Sequence, residues 1–218
     1  MALALFDLDN TLLSGDSDYL WGEFLVEQGL VDGESYAREN ARFYEAYRQG
    51  RLDIHAFLRF SLRPLTEHPL ETLLALRERF LQEKILPVIP AASRRLLARH
   101  AEAGDVRVII TATNAFVTRP IAEALGVEHL IATEPEQIDG RFTGRCAGVP
   151  CFREGKVARL EAWLAETGIP LSGSWFYSDS HNDLPLLERV DRPVAVDPDD
   201  RLREVAAARG WPVISLRE

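Results

Sequence analysis

Near the start of the chain, Phe6 to Thr11 (Phe-Asp-Leu-Asp-Asn-Thr) place two carboxylates two positions apart, directly after an apolar run from Ala2 to Leu5. The uninterrupted run predicts a strand buried on both faces. In extended backbone, side chains two apart share a face, so Asp7 and Asp9 project together from the strand's end. Two carboxylates about 4 Å apart, at an effective dielectric of about 20, repel by about 4 kcal/mol, so the pair calls for a cation or a proton. A cation seated beside a free carboxylate suits phosphoryl transfer, where positioning and charge neutralisation supply most of the rate. Read alone, Asp9 and Asn10 are also explained as turn residues closing a strand, so the weight falls on what the rest of the chain brings to meet them.

Parallel sheets hold their ligands at the carboxyl ends of strands, and polar residues stand at two more such ends. Val108-Ile109-Ile110 closes on Thr111, and Trp175 to Ser178 closes on Asp179, followed by Ser180, His181, Asn182 and Asp183, with Pro185 placed for the first turn of a helix. Asp7, Asp9, Asp179 and Asp183 are four carboxylates that can converge, and four stay ionised together only around a divalent ion. All-oxygen ligation favours magnesium over zinc or copper. Each residue has a plainer reading: Thr111 ends a strand, Asp179 and Asp183 make a turn and a helix cap, and Lys156 is a solvated helix charge. The order in which they occur together argues against that. His181 invites a role as general acid, but Asp9 already holds that place, so His181 is read as a loop residue or substrate neighbour.

To meet, these residues need strands that end side by side. After a short link, residues 12–15, the sequence is helical to about Lys84. Four helices fit, from Ser17 to Gln28, Glu34 to Arg48, Asp53 to Leu62 and Pro69 to Lys84, with breaks at Gly29, Gly33, Gly50 and Pro64. Tyr36, Phe43, Tyr44 and Tyr47, then Ile54, Phe57, Leu58 and Leu62, recur at helical spacing. They predict a small helical bundle inserted after the first strand, with the aromatics as its core rather than a ligand platform. From Ile85 onward helix and strand alternate, the pattern of a parallel sheet covered by helices. Strands are expected over 106–110, 129–132, 174–178, 194–196 and 212–215. Helices are expected over 91–103, 120–125, 155–166, 184–189 and 199–209, and Asp139-Gly140 predicts a hairpin turn within 134–151.

Composition narrows the function. The 218 residues, 46% of them apolar, suit one globular domain, alone or carrying an insertion. A net charge of -9 with no Lys/Arg cluster repels a phosphate backbone, which excludes nucleic acid as a general partner. The apolar start lacks a basic flank and is too short for a leader or a span, so the expectation is a cytoplasmic protein without a membrane partner. Cys146 and Cys151, the only cysteines, make neither a zinc site nor a disulfide framework and are read as structural.

Taken together, the ordered set resembles the haloacid dehalogenase superfamily, in particular its phosphoserine phosphatase-like branch, over nearly the whole chain. Asp7, Asp9 and Thr11 match its D-x-D-x-T signature, Thr111 its second-strand hydroxyl, Lys156 its lysine, and Asp179, Asn182 and Asp183 its acidic loop. The resemblance implies an α/β fold, a Rossmann-like doubly wound parallel sheet, with residues 1–15 and 85–218 as the catalytic core and 16–84 as a helical cap. It implies a magnesium-dependent phosphatase acting on a small phosphorylated metabolite, as a monomer or homodimer. Asp7 is the expected nucleophile and Asp9 the acid and base; Thr111 and Lys156 neutralise the phosphoryl group. The Asp7 carboxylate, the Asp9 carbonyl and Asp179 hold the metal, with Asp183 orienting that shell. Asp16 aligns with a glutamate that reads a substrate amino group, and Thr11, Ala112 and Asn182 join it as expected substrate contacts. Two differences stand out: Ala112, Thr113 and Asn114 follow Thr111 where the branch has two glycines, and Ser178 and Ser180 flank Asp179 where it has glycine.

The substrate stays open between phosphoserine and an amine without a carboxylate, such as histidinol phosphate. Arg48, Arg51, Arg59 and Arg63 are the candidates for reading a carboxylate. Other readings are a phosphomutase or phosphotransferase of the same fold, a dehalogenase, which has no use for Asp9, and a receiver-type phosphoacceptor module, which would lack the insertion. Trp21 and Phe24 could alternatively form a dimer face.

Overall fold

The computed structural model describes residues 2–217; Met1 and Glu218, the outer ends of the expected core segments, lie outside them. One seven-stranded sheet runs in the order β4-β3-β2-β1-β5-β6-β7. Its strands are β1 (Leu3–Phe6), β2 (Val106–Asn114), β3 (His129–Ile138), β4 (Arg141–Ala147), β5 (Trp175–Ser178), β6 (Arg192–Val196) and β7 (Val213–Ile214). All pairings are parallel except β3 with β4, an antiparallel hairpin turning at Asp139 and Gly140, both with positive φ. A two-residue turn of this kind matches the twist of the flanking strands.

β1 lies at the centre and every one of its residues is buried, as its unbroken apolar run requires. Alternate residues enter opposite layers: Ala4 and Phe6 join one apolar cluster, Leu3 and Leu5 the other. Phe6 pairs with Ile109 of β2 and Tyr177 of β5. The chain leaving β1 at Asp7 therefore emerges between Thr111 on one side and Ser178 on the other.

Residues 16–84, inserted after β1, hold five α-helices, α1 (Ser17–Glu27), α2 (Gly33–Arg48), α3 (Ile54–Ser61), α4 (Arg63–Glu67) and α5 (Leu70–Phe80). Four were expected; Pro64 opens the short α4 from its first turn, where its missing N–H costs nothing, instead of breaking the chain. Trp21 and Phe24 are fully buried against Phe80 and Phe116, so they cannot form a dimer face. α6 (Ala91–Glu102), α7 (Ala115–Ala124), α8 (Glu154–Thr167), α9 (Leu184–Leu187) and α10 (Asp200–Arg209) complete the layers.

Three expected elements prove longer. β2 continues four residues past Ile110, through Thr111 and Thr113, with its register against β3 shifting over that stretch. α7 begins at Ala115 and carries Pro120 inside it. Proline deprives the Phe116 carbonyl of its helical donor. Arg77 replaces that donor, its Nη1 standing 3.1 Å from the Phe116 carbonyl while its guanidinium lies 4.9 Å from the centre of the Phe116 ring. β3 also runs past Ala132 into the hairpin. Cys151 is buried and burial pushes its thiol up to about 12, so it stays protonated at neutral pH. No helix among the described residues is long and apolar enough to cross a membrane.

Candidate active site

Asp7 sits where β1 stops, its N–H donating to the Tyr177 carbonyl at 2.9 Å. Lys156, from the first turn of α8 and 3% exposed, donates to Asp7 Oδ1 and to Asp183 Oδ2, both at 2.7 Å. One ammonium thus neutralises two buried carboxylates from separate segments. Burial raises the Asp7 carboxyl, Lys156 pulls it back, and the charges of Asp183 and Asp9 push it up again, to about 7. Burial acts to lower the lysine, but Asp183 and Asp7 outweigh it and hold Lys156 charged. Asp183, expected to orient a metal shell, is held by Lys156 and by Ser178 Oγ, each at 2.7 Å. Ser178 and Ser180 supply the acidic loop with its own hydrogen bonds, from Ser180 N to Ser178 Oγ and from Asn182 N to Ser180 Oγ, which glycine could not.

Asp9 is clamped from two directions. Ser17 N at the start of α1 donates to Oδ1 at 2.6 Å, and Thr113 Oγ1 donates to Oδ2 at 2.7 Å, while Thr111 Oγ1 stands at 3.4 Å. Thr113 was not among the expected site residues. The two-residue period that pairs Asp7 with Asp9 pairs Thr111 with Thr113, but it becomes visible only once β2 is carried past Ile110.

Thr11 is fully buried and does not line the cavity, so it is a brace instead of the expected substrate contact. Its hydroxyl contacts Asp179 Oδ1 at 2.9 Å and Asp7 Oδ2 at 3.3 Å, and Asp179 N lies 3.0 Å from the same oxygen. Burial, then the Asp7 charge, pushes the Asp179 carboxyl well above its ordinary range. Two oxygen-donor carboxylates that meet at one hydroxyl and oppose each other's ionisation fit a hard divalent cation. No group of three or more His, Cys, Asp or Glu side chains among the described residues could hold a metal alone. Magnesium does not need one, since it usually binds one or two carboxylates and keeps several waters.

Above Asp7 and Asp9 a cavity opens between sheet and helices, with about 630 Å³ free of protein atoms, mouth included. Its floor is Asp7, Asp9, Thr111, Ala112, Thr113, Lys156 and Asp183; its far wall includes Asp16, Asp18, Tyr19 and Asn40. Phe43, Tyr44, Tyr47, Ile54 and Phe57 also line it, so most of the periodic pattern expected to be bundle core faces the cavity, while Tyr36, Leu58 and Leu62 are core. Among the described residues Lys156 is the sole cation on its walls; Arg48, Arg51, Arg59 and Arg63 are exposed and elsewhere.

A family model described as haloacid dehalogenase-like hydrolase matches residues 4–188. The chain belongs to that family. A histidinol-phosphatase of Neisseria meningitidis serogroup C is 44% identical to this hydrolase over 219 residues, covering 99% of each chain. Phosphoserine phosphatase SerB1 of Mycobacterium tuberculosis is 34% identical over 99% of this chain and 71% of its own. A Bordetella pertussis protein of unknown function superposes with a TM-score of 0.93 at 49% identity, over 99% of this chain and 98% of its own. The hydrolase is a phosphatase of the phosphoserine phosphatase-like branch.

Besides Thr11 and Asp179, Asn182 and His181 of this hydrolase also stand outside the cavity lining. Asn182 is spent on a clasp between helices and sheet: its Nδ2 donates to the Tyr47 carbonyl at 3.2 Å, and its Oδ1 accepts from Arg153, which also donates to the Gly50 carbonyl. His181 packs beside that clasp, its Nδ1 2.7 Å from Asp199 Oδ2 and its Nε2 against Gly50. Gly50 has φ +64, and a Cβ there would stand 2.4 Å from the imidazole, so glycine is needed on both counts.

Proposed function

We propose that this phosphatase hydrolyses the phosphate ester of an amino alcohol carrying an aromatic nitrogen ring, and that its substrate is histidinol phosphate. The observation that carries the reading is the cavity wall. Asp16 and Asp18 face a space walled by aromatic rings, with no arginine present. Asp16 also caps α1, its Oδ1 accepting from Tyr19 N at 2.8 Å, so the capping role and a substrate contact coexist in one carboxylate. Burial, then the Asp9 charge, raises the Asp16 carboxyl well above its ordinary range, and an ammonium group would relieve that. A substrate carboxylate at that wall would meet two acids and no cation, since Lys156 stands on the floor bound to Asp7 and Asp183, which argues against phosphoserine. The likeness to the Neisseria histidinol-phosphatase supports the same choice.

In this reading Asp7 attacks phosphorus and forms a phosphoaspartate, with Lys156 holding its carboxylate ionised and aligned. Asp9 gives its proton to the departing alcohol oxygen and then takes one from the water that cleaves the acyl phosphate. Ser17 N and Thr113 Oγ1 keep that carboxylate in place for both transfers. Thr111 and Lys156 offer donors to the phosphoryl oxygens. Asp7, Asp179 and the Asp9 carbonyl would hold magnesium, which neutralises charge on the phosphoryl group when bound. Residues 16–84 act as a cap that excludes water, fastened to the core through Asn182 and Arg153.

Phosphate release from histidinol phosphate and O-phosphoserine, measured side by side, tests the substrate. The expected kcat/KM for histidinol phosphate is at least about 100-fold higher, since an uncompensated buried carboxylate is a large penalty. Equal values, or a preference for phosphoserine, would contradict the reading.

A further inference from the structure

Asp18 stands out because nothing among the described residues answers its charge. It is 8% exposed and lines the cavity. The donors at the start of α1 go elsewhere: Ser17 N to Asp9, and the N–H groups of Asp18 and Tyr19 to Asp16. No donor among the described residues reaches the Asp18 carboxylate, and burial, then the Asp9 charge, raises it to about 7. A purely structural explanation is that the acid complements the helix dipole. That effect is modest and the capping acid Asp16 already supplies it, whereas burying an unpaired carboxylate costs much more.

The neighbouring residue on the wall has the same polarity. Asn40 on α2 is 5% exposed and commits its Nδ2 to the Tyr19 carbonyl at 3.0 Å, which leaves Oδ1 as an acceptor. Two acceptors with no matching donor call for a ligand group that brings N–H bonds. Phe43, Tyr44 and Phe57 line the same cavity, so the group that fits is flat, aromatic and able to carry positive charge.

We propose that Asp18, with Asn40 Oδ1, is the specificity-determining acceptor for the N–H groups of the substrate's aromatic nitrogen ring, leaving the ammonium to Asp16. This rests on the amino-alcohol phosphate reading above. A ring held there takes no part in breaking the P–O bond, so its contacts would be made equally in ground and transition states and act on KM more than on kcat.

The test compares histidinol phosphate with 2-aminoethyl phosphate, which keeps the phosphate and ammonium but has no ring, in wild type, Asp18→Asn and Asp18→Ala. The quantity read is the ratio of the two kcat/KM values. Wild type is expected to favour histidinol phosphate, and each variant to lower the ratio by about 10- to 100-fold, as loss of a hydrogen bond to a charged group predicts, mainly through KM. A variant that slows both substrates by the same factor has only a structural role for Asp18 and overturns the proposal. So does an unchanged ratio, while a wild-type preference for histidinol phosphate keeps the substrate reading intact. A wild type without that preference overturns both. Asp18→Asn keeps the side-chain volume, and Asp18→Ala gives an independent second measurement should the amide disturb folding.

Discussion

Asp18 also makes a prediction about stability that needs no substrate. Its carboxyl has an ordinary value of 3.8 unfolded and about 7 folded, raised by burial. A group raised by folding contributes its stability below the unfolded value and loses it as pH rises through the folded one. Metal-free wild type should therefore lose stability between about pH 4 and pH 7 through this residue, by up to about 4 kcal/mol. Asp18→Asn should melt close to wild type at pH 4 and several degrees higher at pH 8; equal melting temperatures at both pH values would remove the buried-charge explanation. At this scale the sequence was most legible where one residue type had one use. Asp7, Asp9 and Lys156 could be picked out because buried carboxylates and a lysine in ordered motifs have few other purposes. Thr113, Asp18 and Asn40 could not, because a threonine in a strand or an acid in a helix's first turn has an ordinary role and only burial shows that it is being used otherwise.

α1 and α2 carry the residues proposed to hold the substrate's ammonium and ring, and their approach depends on one glycine. A Cβ on Gly22 would stand 2.5 Å from Asn40 Nδ2, the atom that binds the Tyr19 carbonyl. Gly22→Ala gains helix propensity, worth about 1 kcal/mol, but forces Asn40 off its partner or the helices apart. The net expectation is a loss of about 1–3 kcal/mol, read as a melting temperature lower by several degrees; a variant as stable as wild type would show that α2 can move without cost. Periodicity located most elements and mislaid their ends, for physical reasons visible in particular residues. Pro120 is a helix breaker on paper, yet α7 runs through it because Arg77, from a helix some forty positions earlier, satisfies the carbonyl it frees. β2 outruns its apolar stretch because Thr111 and Thr113 are extended for the sake of Asp9, a reason no local pattern contains. The split of the aromatics between bundle core and cavity wall is likewise invisible in their spacing, since both faces of the insertion are apolar.

Across the whole molecule, segments 149 positions apart meet in a single ion pair, Lys156 with Asp7. β1 makes this possible: as the central strand it delivers Asp7 between β2 and β5, and the crossover helices return the chain each time to the same edge of the sheet. The inserted helices then roof that edge, and Asn182 and Arg153 fasten the roof. The order of the motifs made the core readable from sequence; how the roof sits on it depends on contacts such as Arg153 to the Gly50 carbonyl, which join residues with no shared pattern. All of this architecture converges on Asp7, and the direct test is to look for the proposed phosphoaspartate. The enzyme should be mixed with histidinol phosphate and magnesium, quenched in acid within the first turnover, and its peptides searched for a phosphoryl group. The account predicts phosphate on the peptide carrying Asp7 and, in Asp7→Asn, neither that adduct nor turnover. Phosphate on another residue, or an Asp7→Asn variant that still releases phosphate at the wild-type rate, would contradict it.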